Sequence, residues 1–357
     1  MKTSMDLPSK VKIGNKYIGE NEPTYFIAEI GNNHNGDYYL AKKHIQAAVD
    51  AGADAVKLQK RSVSGTFTRE LLERAQTKDQ IFGATYGEYR KRLELNEDEF
   101  IHLKRFAEDL GVTFFATPFD KESVDFLEKV SQEVYKIASF DVTNIPLIEY
   151  IAKQGKPVIL SLGMSTMEEA DEAVAAILKY NKQLIIMYCL SIYPTPENKI
   201  NLLTISLLKE HFSPLPVGYS GHEKGFIPTL AAVSIGAKCV ERHFTLNKNL
   251  PGPDHATVSI EPSEFKDMVD NARAIEQSLG TPVKKLWDDE IKTREKHSKS
   301  IVSATNLPAG TVITEEMIIC KSPGYGLKPK MIQEIVGKRI KIDIPADTVL
   351  IEDHIEF

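Results

Sequence analysis

Eight short apolar runs punctuate roughly the first 245 residues of the chain, each separated from the next by a longer amphipathic stretch. They are TYFIAEIG (24–31), ADAVKLQ (53–59), VTFFAT (112–117), EVYKIAS (133–139), KPVILSLG (156–163), QLIIMYCL (183–190), PLPVGYS (214–220) and AKCVERHF (237–244). Their length and near-continuous hydrophobicity suit strands buried on both faces. Between them, segments such as DYYLAKKHIQAAVDAGA and DEFIHLKRFAEDLG space apolar residues near the helical period. Each carries a glycine at its end, which a helix C-terminus accepts in the left-handed conformation. Strands that alternate with helices build a parallel sheet, and eight such units predict a closed (β/α)8 TIM barrel. The other arrangement is an open doubly wound sheet, but no G-x-G-x-x-G turn follows any of the runs.

The rhythm stops near residue 280. The segment 281–297, TPVKKLWDDEIKTREKH, is charged, holds the only tryptophan (Trp287) and reads as a helix or linker. From Ser298 the apolar runs shorten and the turns crowd together, in SIVSA, NLPAGTVIT, KSPGYGLKP and KRIKIDIPADTVL. Residues 298–357 therefore read as a compact, mostly β module, too small to bury much core and expected to lean on the barrel or on another subunit. The 357 residues are thus expected to divide into a barrel over 1–280, a linker over 281–297 and this module.

A net charge of −6 argues against nucleic acid or an anionic membrane as partner. No apolar run approaches the roughly 20 residues needed to cross a bilayer, and MKTSMDLPSKVKIG has no segment of signal-peptide type. Cys189, Cys239 and Cys320 are odd in number, far apart and set among apolar neighbours. They are expected to be buried free thiols in a reducing cytoplasm.

In a barrel of this type the reacting groups stand at the C-terminal ends of the strands. Those ends carry Glu29, Lys57, Gln59, Thr117, Lys136, Ser139, Ser191, Tyr193, Ser220, His222, Glu241 and His243. Lysines and hydroxyls together suit a phosphate or a carboxylate. Histidines at the ends of the seventh and eighth strands can share one divalent ion through neutral imidazole nitrogens. Glu241 is then expected to face a substrate hydroxyl or the ion's water, while Arg242 points the opposite way and pairs outside the barrel.

Taken singly, each of these residues has a structural reading. A histidine at a strand end commonly serves only a hydrogen bond, lysines snorkel to solvent, and Tyr193 in SIYPTP can anchor a loop. Asn32 to Gly36 can be turn chemistry, Gly218 and Gly221 can shape the turn around GYSGH, and Cys189 and Cys239 can be core. What favours a site is the coincidence of polar groups at equivalent ends of seven of the eight runs.

FIAEIGNNHNGD, VKLQ, FFATPFD, YKIAS, KPVILSLGMS, IYPTP, GYSGH, VERHFTL and PGPDH resemble, in order and spacing, the sialic acid synthases. SKSIVSATNLPAGTVIT resembles that family's antifreeze-like SAF domain, a β-clip, and the segment after VKLQ resembles the animal-type enzymes. The resemblance implies condensation of phosphoenolpyruvate with N-acetylmannosamine, or its 6-phosphate, to give a nine-carbon 2-keto acid and phosphate. It implies a divalent ion, Mn2+ or Mg2+, and a homodimer that exchanges SAF domains. Carried over by position, His222 and His243 are metal ligands, and Lys57, Thr117, Lys136, Ser139 and Ser220 bind phosphoenolpyruvate. Gln59, Tyr193, Glu241 and Asp254 bind the sugar, and Glu29 is a catalytic carboxylate near the reacting carbons.

Two positions depart from the bacterial pattern: Ser191 stands where many members have Asn, and KSPGYG has Ser322 where an arginine often precedes Pro-Gly. Lys321 or Tyr325 are the candidates to replace it. Lys60, Arg61 and Arg69 are candidates for contacting a 6-phosphate. The nearest alternatives are legionaminate or pseudaminate synthases, which take a 2,4-diacetamido-6-deoxy hexose, and eight-carbon sugar-acid synthases, against which the SAF-like tail argues. A metal-dependent barrel hydrolase would want two histidines after the first strand, where only His34 is present. A non-catalytic carbohydrate- or ice-binding protein would leave a costly set of mouth charges unused.

Overall fold

The computed structural model describes residues 7–77, 80–252 and 254–357. The chain divides into two compact units, with the boundary between Gly280 and Thr281.

The first unit opens with an antiparallel hairpin of β1 (Lys10–Ile13) and β2 (Lys16–Gly19). Eight strands follow: β3 (Tyr25–Gly31), β4 (Ala55–Lys60), β5 (Thr113–Pro118), β6 (Tyr135–Ile137), β7 (Val158–Ser161), β8 (Leu184–Cys189), β9 (Val217–Gly221) and β10 (Cys239–His243). They form one parallel sheet in the order β5-β4-β3-β10-β9-β8-β7-β6, a nearly closed barrel with helices outside. Each of the eight runs read from the sequence overlaps one of these strands, and β4, β5 and β9 continue one residue past their runs.

Side-chain alternation along the strands sorts residues between two cores. Tyr25, Ile27, Ala55, Phe115, Ile159, Ile185, Met187 and Cys239 fill the barrel interior together with Val11, Ile13 and Ile18 of the hairpin. Phe26, Ala28, Val56, Phe114, Leu160 and Val240 face outward into a larger core shared with the helices. The hairpin thus supplies interior packing that the eight-run pattern did not include. Its sequence, KVKIGNKYIG, carries the signal: Val11 and Ile13 alternate with lysines before a Gly14-Asn15 turn with Gly14 at positive φ.

Among the described residues β5 and β6 share no ladder. Buried Gln132, three residues before β6, bridges this seam: its Nε2 donates to the Ala116 carbonyl at 3.1 Å, and its Oε1 accepts from the Ala116 amide at 2.7 Å. One side-chain amide therefore satisfies both backbone groups of an edge residue.

The second unit has two antiparallel pairs, β11 (Ser300–Ser303) with β12 (Ile318–Lys321) and β13 (Arg339–Ile340) with β14 (Ile355–Glu356). They enclose a core that includes Ile301, Leu307, Ile313, Leu327, Ile340 and Leu350. Within the segment read as a linker, Asp288–His297 is a helix and belongs to this unit. Cys189 and Cys239 are buried free thiols, but Cys320 is exposed. That corrects the expectation for the third cysteine. It lies on β12, of which only Ile318 is buried, in a sheet of two strands with a face left to solvent. Among the described residues no helix is long and apolar enough to cross a membrane.

Candidate active site

The alternation that packs the interior also decides what stands above it. In β10 Cys239 is in the interior core and Val240 in the outer one. Glu241 and His243 continue the inward series, and Arg242 the outward one. Arg242 is fully buried and gives Nη1 to Glu223 Oε1 at 2.8 Å and to Thr229 at 2.9 Å, and Nη2 to the Glu223 carbonyl at 2.8 Å. Its pairing outside the barrel is as the sequence predicts.

Register aligns the inward groups across strands, with His243 beside Glu29, Glu29 beside Lys57, and Glu241 beside Ser220. They open on a cavity of about 260 Å3. Glu29, Lys57, Gln59, Thr117, Lys136, Ser139, Tyr193, Ser220, His222, Glu241, His243 and Asp254 all line it. Ser191, named with them at the strand ends, does not line it, and neither do Lys60 and Arg69; the Ser191 Oγ lies 2.8 Å from that of Ser139.

One side of the cavity is a buried charge cluster. Lys57 Nζ lies 2.7 Å from Glu29 Oε2 and 3.8 Å from Glu241 Oε2, and it donates to Thr117 Oγ1 at 3.0 Å. Lys136 Nζ lies 3.8 Å from Glu241 Oε1, which also accepts from Ser220 Oγ at 3.2 Å. Gln59 Nε2 holds Glu29 Oε1 at 2.7 Å. Glu241 thus sits between two ammonium groups rather than turned only toward a ligand. Burial works to raise its carboxyl, but Lys136 and Lys57 outweigh burial and hold it at about 2. Burial draws the Lys136 ammonium below its ordinary value; Glu241 pulls it back, and Lys57 lowers it further. The carboxylate's charge is secured by its neighbours, whereas the ammonium's would be better secured by one more anion.

The two imidazoles form another part of the wall. His222 Nδ1 donates to the Leu190 carbonyl at 2.7 Å, which fixes the tautomer and leaves Nε2 as a lone-pair donor. Burial, with His243 close by, lowers His222 to about 3, so the ring is neutral. The ring centroids of His222 and His243 are 5.4 Å apart, and Tyr193 lies 4.2 Å from His222. His243 Nδ1 is buried with no hydrogen bond, 3.8 Å from Asp254 Oδ2. Two imidazole nitrogens beside a carboxylate fit a divalent ion. Among the described residues no three His, Cys, Asp or Glu side chains converge as a complete ligand set, so an ion here would keep positions for water or substrate.

Several residues in or beside the cavity were not named as site residues in the sequence. Ser161 ends β7 with its Oγ buried and unpartnered, and Asn32 donates to Gln59 Oε1 at 3.1 Å. Gly163 holds a recess open, since a Cβ there would stand 2.6 Å from Ser191 Oγ and 2.8 Å from Cys189 Sγ. Ser161 was legible as a hydroxyl at a strand end. Gly163 was not, because its role depends on neighbours from other strands. Arg90, also unnamed, and Arg61, named above as a candidate for a 6-phosphate, reach the cavity from the segments before β5 and after β4.

The NeuB family model matches residues 44–284, and the SAF domain model matches residues 298–356. The chain is 36% identical over 342 residues to N-acetylneuraminate-9-phosphate synthase of Homo sapiens, covering 96% of this chain and 95% of that one. It is 37% identical over 350 residues to N,N'-diacetyllegionaminic acid synthase of Legionella pneumophila, covering 96% and 98%. Among solved structures, the N-acetylneuraminic acid synthetase of Leptospira borgpetersenii superposes with a TM-score of 0.70 at 34% identity, over 80% of this chain and 95% of that one. With matches of that extent to both parts of the chain, the protein belongs to the NeuB family of sialic acid and related nonulosonate synthases, and is a phosphoenolpyruvate-dependent, C–C bond-forming transferase carrying a SAF domain.

Proposed function

We propose that the barrel mouth condenses phosphoenolpyruvate with N-acetylmannosamine or its 6-phosphate, giving N-acetylneuraminate or its 9-phosphate and inorganic phosphate. The observation that carries this reading is the placing of two buried ammonium groups and two buried imidazoles around one cavity of about 260 Å3. Phosphoenolpyruvate brings up to three negative charges, which Lys57 and Lys136 offset in a partly dry site where such pairing is strong. Thr117, Ser139 and Ser220 donate hydrogen bonds to the same substrate, and Gln59, Tyr193, Glu241 and Asp254 hold the sugar. A divalent ion, Mn2+ or Mg2+, held by His222 and His243 supplies Lewis-acid polarisation of the aldehyde when bound. C3 of the enol forms the new bond to the aldehyde carbon, water adds at C2, and the C2–O bond to phosphate breaks. Glu29, whose oxygens contact Lys57 and Gln59, accepts the proton of that water in this reading.

A legionaminate or pseudaminate synthase is the second reading, favoured by the similarity to the Legionella enzyme. Phosphate release from phosphoenolpyruvate with Mn2+ separates the two. N-acetylmannosamine, its 6-phosphate and a 2,4-diacetamido-6-deoxy hexose are compared as acceptors. Turnover of either mannosamine supports the first reading, turnover of the diacetamido sugar alone supports the second, and silence with all three refutes both.

A further inference from the structure

A second cavity, of about 610 Å3, adjoins the barrel mouth, and Arg61, Arg90, Phe119 and Phe140 line both. Arg61 is only 7% exposed. Its Nη2 donates to Gln59 Oε1 at 2.8 Å, its guanidinium lies 3.8 Å from the Phe119 ring centroid, and its Nη1 is buried with no hydrogen-bond partner. Arg90 Nε donates to Tyr86 Oη at 2.8 Å, and its guanidinium stands 5.1 to 5.6 Å from the rings of Tyr86, Tyr89 and Phe67.

Among the described residues the two guanidinium groups are hydrogen-bonded to Gln59 and Tyr86 and not to a carboxylate, and the nearby Glu94 is paired with Lys60. The acids at this cavity are committed elsewhere. Asp120 accepts from the Ser62 and Ser123 amides and from Thr66 Oγ1, and Asp141 accepts from Asn144. Lys60 is also engaged, with Glu94 at 2.8 Å and the Leu95 carbonyl at 3.1 Å, and Arg69 lines neither cavity. Burial and the like charge of Arg90 lower Arg61 to about 10. A buried cation with an open N–H and a like-charged neighbour is costly unless an anion joins it, and a planar guanidinium fits phosphate oxygens well.

The position of this junction matters as much as its charge. Phe119 and Phe140 follow β5 and β6, which stand four places from β9 and β10 in the strand order. The junction therefore lies across the mouth from His222 and His243. A sugar with its aldehyde at the imidazoles and extended past Gln59 would point its far end toward the arginines, since Arg61 Nη2 is bonded to Gln59 Oε1 at 2.8 Å. Resting on the condensation proposed above, we infer that Arg61 and Arg90 form a phosphate subsite for the far end of the acceptor, making the substrate a hexosamine 6-phosphate and the product a 9-phosphorylated nonulosonate.

The test is the ratio of kcat/KM for N-acetylmannosamine 6-phosphate to that for N-acetylmannosamine, measured on the full chain with Mn2+ and phosphoenolpyruvate. The ratio is expected to exceed one and to fall about tenfold or more in Arg61→Met and in Arg90→Met, as loss of a charge-assisted hydrogen bond predicts. Arg90→Lys is expected to recover part of it. An unchanged ratio in both variants, or losses confined to the KM for phosphoenolpyruvate, overturns the subsite. Thermal stabilisation by the 6-phosphate sugar without phosphoenolpyruvate keeps the two claims apart. If the parent is stabilised and the arginine variants are not, yet no acceptor turns over, the reaction reading fails and the subsite stands. If the free sugar turns over with no preference for the phosphorylated one, the subsite fails and the reaction stands.

Discussion

Lys57 and Lys136 are charged residues in a barrel interior, each less than a tenth exposed, and they persist there because Glu29 and Glu241 stand within 4 Å of them. Such a cluster of opposite charges gains little net stability over well-packed apolar residues, so its retention points to ligand chemistry. The imidazoles can be separated from the fold experimentally. His222→Ala loses one hydrogen bond, about 1 kcal/mol, yet is expected to lower turnover by about 100-fold or more, the scale of Lewis-acid assistance. Parallel melting curves and metal titrations check this, and full activity with unaltered metal affinity would remove His222 from the site. Two other histidines carry a pH dependence. Burial lowers His34 to about 3 and His44 to about 4, so the folded chain leaves both neutral while the unfolded chain protonates them near their ordinary value. Their contribution is complete above roughly pH 6.5 and is lost as pH falls toward 4 for His44 and toward 3 for His34, at about 1.4 kcal/mol per pH unit for each. Urea unfolding at pH 7 and pH 5 is expected to show this loss, and His44→Gln should reduce it; equal stabilities at the two pH values would contradict it. In the sequence, Glu29, Lys57, Glu241 and His243 were legible because strand alternation decides which side chains face inward. Arg90 was not, since the chain leaves the barrel between β4 and β5 and no periodicity says which of its arginines turns back.

The eight strands could be read from apolar runs because burial on both faces leaves little room for polar residues. The two features that complete the barrel were harder to see, since each depends on a partner distant in sequence. Val11, Ile13 and Ile18 enter the interior core from a hairpin that precedes the first barrel strand. Gln132 pins the seam between β5 and β6 through both backbone groups of Ala116. An isolated glutamine in EKVSQEVYK reads as surface. Gln132→Ala leaves a buried amide and a buried carbonyl without partners and is expected to cost about 2–4 kcal/mol. Denaturant midpoints would show the shift, and a variant as stable as the parent would mean that the seam closes by other contacts.

Across the whole molecule, the change of rhythm near residue 280 marks the division into two units, because βα alternation and a short-stranded module bury their apolar residues in separate cores. Assembly leaves no comparable pattern in one chain. The dimer expected from the resemblance predicts a mass in solution of twice 39.9 kDa, measurable by light scattering; a monomer at assay concentrations would contradict it. The central claim concerns bond making and breaking at the mouth: C3 of phosphoenolpyruvate joins an aldehyde, and water enters at C2 rather than at phosphorus. Turnover in 18O-labelled water, with mass spectrometry of the released phosphate, tests this most directly. Unlabelled phosphate, released only when both an aldose and a divalent ion are present, is the predicted result. Phosphate carrying 18O, or released without the sugar, would show that water attacks phosphorus and that the mouth is a phosphatase site.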